Sequence, residues 1–224
     1  CAVSLERLGA ARQEIDALNV YPVPDGDTGT NLHLTMVSVQ EAVEAAAQDL
    51  KATVAALVRG SLMGARGNSG VILSQLLRGL GEVIAELTDI GPEDLKLALT
   101  TSAKSAYGAV AAPVEGTLLT VAREAAEGAR GLDLVSVVRS ARAAAEASLA
   151  RTPELLPQLK AAGVVDAGGR GWCVLLEALE QVVTGVVAES LPAPVVARTA
   201  VTAAREAGSD EFGYEVQFLL RDAT

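Results

Sequence analysis

Aromatic residues are scarce in this 224-residue chain: they make up 3% of it, with a single Trp. The hydrophobic half of the composition (50%) therefore rests on Ala, Val and Leu. That suits close-packed helices better than a β-sandwich built on β-branched and aromatic pairs. Cysteine is nearly missing too. Cys1 and Cys173 lie too far apart for a CxxC unit, and one His with two Cys cannot build a structural zinc site of the usual kind. A reducing compartment is the natural expectation. Positive charge is short, with 18 Lys and Arg against 28 Asp and Glu, a net charge of −10 and a pI near 4.6. Such a balance argues against a nucleic-acid or anionic-membrane binder, since both want a positive footprint. Mean hydropathy is positive at +0.33, yet no apolar run reaches the ~18–20 residues that a membrane span needs. Glu6, Arg7, Arg12 and Glu14 interrupt the first segment, so it does not read as a signal peptide. The expected class is a soluble, cytoplasmic, mostly helical protein. A chain that opens on Cys1 rather than Met reads as a trimmed fragment.

The length allows one large or two small domains. Leu5, Leu8, Ala11, Ile15 and Leu18 recur at three- and four-residue steps, predicting an amphipathic helix over residues 2–18. It stops before Tyr21-Pro22-Val23-Pro24, because each proline drives its predecessor out of the α region. Asn31 is expected to cap a second helix running to about Ala47, and a third spans 50–63 and ends at Gly64. A fourth follows the Gly64–Gly70 loop through about Leu87. Pro92 with Glu93 and Asp94 opens a fifth, to about Val110. Further helices are expected near 116–127, 133–150, 153–160 and 171–187. Short connections and no convincing strand before residue 190 make residues 1–190 an all-α domain. Leu191-Pro192-Ala193-Pro194 reads as a linker. Beyond it, Phe212 to Leu220 alternates apolar and polar residues, so 191–224 is expected to hold a linker and the first strand of a truncated second domain.

Glycine is where the chemistry is signalled. It clusters with Asp, Asn, Ser and Thr in four segments between helices: Asp25–Asn31, Gly64–Gly70, Val114–Thr117 and Asp166–Gly171. Glycine lets backbone approach a ligand closely, and helix N-termini offer free N–H groups to anions. Four such loops at one end of a bundle would form a phosphate-binding rim. Taken singly, each reads more readily as an ordinary helix connection, and it is the four together that favour a rim. Asp25 and Asp27 are the sharpest pair, since residues i and i+2 of an extended segment point the same way and two carboxylates suit a hard cation. An EF-hand fails, because its fifth position would be Gly29 and its twelfth Met36. An Asx-turn with solvated carboxylates is the plainer alternative. Thr28, Thr30 and Asn31 nearby favour metal plus phosphate. Gly64–Gly70 is no Walker A loop, lacking the Lys-Ser/Thr, but Gly67, Asn68, Ser69 and the Gly70 N–H could cradle a phosphate. Gly116-Thr117 and Asp166-Ala167-Gly168-Gly169 are weaker signals, the latter a candidate base or lid contact ahead of Trp172. His33, the only His, is expected to pack, and Cys173 to be a buried small hydrophobe. With no Ser–His–Asp or Cys–His arrangement, an enzyme here would work by positioning and electrostatics, as phosphoryl transfer does.

The run Leu18-Asn19-Val20-Tyr21-Pro22-Val23-Pro24-Asp25-Gly26-Asp27-Thr28-Gly29-Thr30-Asn31 strongly resembles the N-terminal, ATP-binding domain of the bacterial fatty-acid kinase, which is homologous to the L subunit of dihydroxyacetone kinase. Gly64-Ala65-Arg66-Gly67-Asn68-Ser69-Gly70-Val71, Val114-Glu115-Gly116-Thr117 and Val165-Asp166-Ala167-Gly168-Gly169 match its other motifs in order. The likeness covers residues 2–190 or so, and Gly213 to Leu220 resembles the opening strand of that kinase's middle domain.

The resemblance implies an antiparallel barrel of eight helices with Mg²⁺-ATP in the loops at one end. Asp25 and Asp27, the catalytic pair, would ligate two Mg²⁺ ions bridging the ATP phosphates, and Asn19 stands at the position of a third ligand. Thr28, Thr30, Asn31, Gly67, Asn68, Ser69 and Gly70 would hold phosphate, with Thr117, Asp166 and Gly168 near the nucleoside. A separate fatty-acid-binding protein would deliver the acyl chain, whose carboxylate attacks the γ-phosphate. That nucleophile is already ionised at pH 7, so no general base is required. The dihydroxyacetone branch carries three aspartates and a following His, where this chain has Asn19 and Thr28, which favours the fatty-acid branch. The alternatives are a dihydroxyacetone (glycerone) kinase L-type subunit, a non-catalytic nucleotide-binding regulatory module, and a plain helical scaffold. An Ala-rich surface leaves homodimerisation open.

Overall fold

The computed structural model of the protein describes residues 1–47 and 49–187. They form nine helices: α1 (Ala2–Leu18), α2 (Thr28–Glu44), α3 (Leu50–Met63), α4 (Gly67–Ile84), α5 (Pro92–Gly108), α6 (Leu118–Gly128), α7 (Leu134–Leu155), α8 (Pro157–Ala162) and α9 (Ala167–Thr184). No strand occurs among the described residues. The linker and strand expected over 191–224 lie outside them.

Each long helix packs on its neighbours in chain order, and α9 returns to α1, so eight helices close a ring while the short α8 leans on α7. Neighbours run antiparallel. Arg7 early in α1 bonds Gln181 late in α9 at 2.7 Å, while Glu14 late in α1 meets Arg170 early in α9 at 2.8 Å. Along α6 and α7, Gly128 abuts Ala144 and Glu124 pairs with Arg151. The apolar stripe expected on α1 is the face that enters the core. Leu8, Ile15 and Leu18 are buried there, with Leu5 and Ala11 packed behind them. Small residues set the spacing between helices. A Cβ on Gly79 of α4 would stand 2.5 Å from the Ser102 Cα of α5, so these two backbones meet almost directly.

The observed boundaries depart from expectation at four places. Helix α2 begins at Thr28, with Asp27 as N-cap, so Asn31 lies within the first turn and caps nothing. Helix α4 begins three residues inside the Gly64–Gly70 segment and ends at Ile84 rather than Leu87. Pro153 does not break α7, because the Leu149 carbonyl it leaves without an N–H donor accepts the Thr152 hydroxyl at 2.8 Å. The break falls instead at Pro157, which holds Leu156 extended (φ −122°, ψ 109°). Last, α9 starts at Ala167, not 171. The glycines of this motif are helical and buy close packing: Cβ atoms on Gly169 and Gly171 would come 2.8 Å from Val121 and 2.3 Å from Leu32.

Candidate nucleotide-binding rim

Antiparallel order places the α1–α2, α3–α4, α5–α6 and α7–α9 connections at one end of the barrel. These connections hold all four glycine-bearing motifs, or in the last case lead directly into one. A cavity of about 620 Å³ lined by Val43, Asp49 and Thr53 lies at the opposite end, away from them. A second, of about 380 Å³, runs between α2 and α3 past Ser38, Met63, Gly64 and Arg66, on the outer flank of the rim.

The first motif is a compact network. Buried Asn19, just past α1, donates its side-chain amide to Asp25 Oδ1 at 2.7 Å. Asp25 is exposed and Asp27 half-buried. Burial raises the pKa of Asp27, the Asn31 side chain lowers it through a hydrogen bond, and the neighbouring Asp25 and Asp16 carboxylates raise it. Like charges are thus held close together. Among the described residues no ion pair reaches Asp16, Asp25 or Asp27. Asp16 was not singled out from the sequence. It sits in the last turn of α1 and takes the Thr30 N–H at 2.9 Å and the Thr30 hydroxyl at 2.8 Å.

The second motif docks on the first. Gly67 has φ +56°, and a Cβ there would stand 2.4 Å from the Asn31 side-chain nitrogen. Asn31 is therefore fitted between Asp27 and the start of α4. Fully buried Thr35, also unmarked in the sequence, completes the joint. Its hydroxyl donates to Asn31 O at 2.7 Å and accepts from the Arg66 N–H at 3.2 Å, and a Cβ on Gly70 would meet it at 2.5 Å. The Gly70 N–H donates to Arg66 O within α4. The amides without an intrahelical partner at this end are those of Gly67, Asn68 and Ser69. Asn68 is exposed and Ser69 half-buried.

The third and fourth motifs form a second pair. Gly116 has φ +83° and donates its N–H to Thr120 Oγ1 at 2.8 Å, while half-buried Thr117 bonds Val114 O. Exposed Glu115 accepts from Tyr107, Thr120 and Arg123, which pins this loop to α5 and α6. Asp166 is buried and caps α9 through Gly169 N at 2.7 Å, and its carboxylate also accepts from the Leu118 N–H at the start of α6. Burial drives its pKa up to about 6 against those two amides. Gly168 is buried as well, its Cβ position 3.1 Å from Leu118 Cβ. Trp172 is buried at 4% exposure, behind the rim rather than on it. His33 packs against Gly9, and Cys173 is buried with its thiol pushed up to about 12 by desolvation, so neither offers a reactive group.

Among the described residues no three His, Cys, Asp or Glu side chains converge on one point. Asp16 is committed to Thr30, so the carboxylates to be tested against a cation are Asp25 and Asp27. Such a site fits Mg²⁺, which keeps water and phosphate oxygens as its other ligands, and hard oxygen donors are what is present. The asparagine amide bound to Asp25 is the neighbour that could serve as a further oxygen ligand.

The match to a known family identifies this closed ring of helices, with Asp- and Gly-rich loops gathered at one end, as a nucleotide-binding, kinase-type domain related to the dihydroxyacetone kinase L subunit. The DAK2 domain family model matches residues 22–181, and the chain belongs to that family. It is 48% identical over 178 residues to Protein YloV of Bacillus subtilis (strain 168), covering 77% of this chain and 32% of that protein. Uncharacterized proteins of Staphylococcus saprophyticus (47% over 167 residues, 72% and 30%) and Staphylococcus aureus strain USA300 (43% over 190 residues, 81% and 34%) are similar in the same way. The chain spans about a third of the length of these curated relatives. No helix among the described residues is long and apolar enough to cross a membrane.

Proposed function

We propose that this chain is the Mg²⁺-ATP-binding domain of a fatty-acid kinase, which passes the γ-phosphoryl group to the carboxylate of an acyl chain presented by a separate fatty-acid-binding protein. The observation that carries the reading is the joint between the first two motifs. It sets Asp25 and Asp27 beside Asn31 and the unpaired amides of α4, so that cation and phosphate ligands share one rim. In this reading Asp25 and Asp27 hold the metal, with Asn19 as an added oxygen ligand. Bound Mg²⁺ would supply charge neutralisation on the phosphates. Thr28, Thr30, Asn31, Gly67, Asn68 and Ser69 orient the phosphates, and Gly70 allows α4 to approach Thr35. Thr117 faces the nucleoside, while Asp166 and Gly168 act by fixing the α6 and α9 N-termini around it. In the transfer a carboxylate oxygen forms the new P–O bond as the bond to the β-phosphate bridge breaks, releasing ADP and an acyl phosphate. An ionised carboxylate needs no base, and the rim offers neither a reactive thiol nor a histidine at its centre.

Two assays test this. Calorimetric titration of ATP with Mg²⁺ and with chelator should show binding that depends on the metal. Hydroxylamine trapping of acyl phosphate, with the chain joined to the missing part of a relative and supplied with a loaded fatty-acid-binding protein, should give product. Phosphorylation of dihydroxyacetone instead would assign the chain to the triose branch of the family. Metal-dependent binding without turnover on either acceptor would assign a regulatory module.

A further inference from the structure

Among the described residues four helices start from an aspartate at the N-cap: α2 from Asp27, α3 from Asp49, α7 from Asp133 and α9 from Asp166. Three of these behave alike. Asp49 accepts the N–H of Ala52 at 2.8 Å, Asp133 that of Ser136 at 2.8 Å, and Asp166 that of Gly169 at 2.7 Å, each the third helical residue. All three have extended backbones, with ψ of 156°, 163° and 126°. That is the conformation from which a cap side chain folds back over its helix. Asp27 does not follow them. Its backbone sits at φ −121°, ψ 1°, and its side chain makes no cap bond. The third residue of α2, Thr30, is nevertheless satisfied, because Asp16 of α1 takes both its N–H and its hydroxyl.

We infer that Asp16 is a positioning residue that caps α2 from the neighbouring helix and so leaves the Asp27 carboxylate available to a cation. The functional half rests on the metal-nucleotide reading above; the structural half does not. The reason is geometric. A carboxylate folded over the third amide of its own helix is committed to that amide. With the amide claimed by Asp16, the Asp27 carboxylate makes no cap bond and is left for another partner. The two bonds to Thr30 also fix the first turn of α2, and the close seat of Gly29 against Arg12 O, where a Cβ would come within 2.3 Å, holds the same turn on α1. Outer-shell partners of this kind change metal affinity about 10- to 100-fold when removed.

The experiment has two arms. In the first, thermal unfolding without metal or nucleotide compares Asp27→Ala in the wild-type and Asp16→Ala backgrounds. Asp27→Ala should leave Tm unchanged or slightly raised in wild type, because no cap is lost and a like charge is removed. In the Asp16→Ala background it should lower Tm by about 2–4 °C, because Asp27 has taken over the cap. An equal effect in both backgrounds overturns the proposal. In the second arm, Mg²⁺-ATP titration should weaken at least about tenfold in Asp16→Ala and recover largely in Asp16→Asn, whose amide oxygen still accepts the Thr30 N–H. Circular dichroism should match throughout. Unchanged affinity in Asp16→Ala overturns the functional half. If Asp16→Ala fails to fold, Asp16→Leu, which likewise has no acceptor for the Thr30 N–H, carries the same comparison. Absence of Mg²⁺-ATP binding by the wild type would sink the kinase reading itself, and the Tm arm still decides where α2 is capped.

Discussion

At the residue scale the rim separates groups that can meet a ligand from groups that hold them in place. Asp25 and Asp27 belong to the first kind. Alanine at either position should reduce Mg²⁺-dependent ATP affinity at least about tenfold with helix content unchanged, since both side chains lie in a connection or at a helix start rather than in the core. Calorimetry alongside circular dichroism checks this, and retained affinity in either variant would remove that aspartate from the metal site. Asp166 belongs to the second kind, and its burial gives a pH signature. Its folded pKa of about 6 lies above the ordinary 3.8. Well below pH 3.8 both folded and unfolded forms are protonated, and the raised pKa costs no stability. As pH rises from about 4 to 6 the unfolded form ionises first, so stability falls through this window, by at most about 3 kcal/mol. Asp166→Asn stays neutral and keeps an oxygen for the Gly169 and Leu118 amides. Denaturant unfolding should therefore show wild type losing stability relative to Asp166→Asn between pH 4.5 and 7. Parallel profiles would contradict the assignment.

At the element scale, what could be read from the sequence depended on whether a signal was local. Helix α5 was legible because Pro92 sits at its first position and Asp94 reaches back to the Gly91 N–H at 2.9 Å, all within four residues. The α7–α8 division was misplaced because the Thr152 hydroxyl that rescues Pro153 is itself held by the Asp166 N–H, at 3.0 Å from the far side of α8. The start of α9 was hidden because its glycines look like loop punctuation, whereas Leu32 and Val121 on other helices explain them. Asp16 and Thr35 escaped for the same reason: each matters through a neighbour far along the chain. The glycines yield a matched prediction. Gly79→Ala should destabilise by about 2 kcal/mol despite alanine's better helix propensity, because the new Cβ meets α5 backbone at 2.5–2.6 Å. Gly108→Ala, where nothing lies within 4 Å, should be neutral or stabilising by up to about 1 kcal/mol. Chemical denaturation of the pair settles it, and equal costs would mean that interhelical contact does not select these glycines.

At the scale of the whole molecule, the rim exists because the ring closes. Closure depends on the α1–α9 seam, where Arg170 bonds Glu14 and Glu177, both at 2.8 Å, and Arg7 adds a 3.2 Å pair to the same Glu177. Arg170 and Glu177 are almost fully buried, so this network carries its own desolvation cost, and removing one member leaves charge stranded. Glu177→Ala should therefore cost about 3–5 kcal/mol and weaken nucleotide binding through the loss of the assembled rim. Acyl transfer is a different matter. The chain spans about a third of its relatives, and a carrier that presents a fatty acid needs a docking surface of its own, for which we propose the remaining two thirds. On the function proposed above, the 224-residue chain should bind nucleotide yet form acyl phosphate far more slowly than the same chain joined to the rest of a relative, under the same load of fatty-acid-binding protein. Hydroxylamine trapping measures this directly. Full turnover by the 224-residue chain alone would place the carrier's docking surface within it.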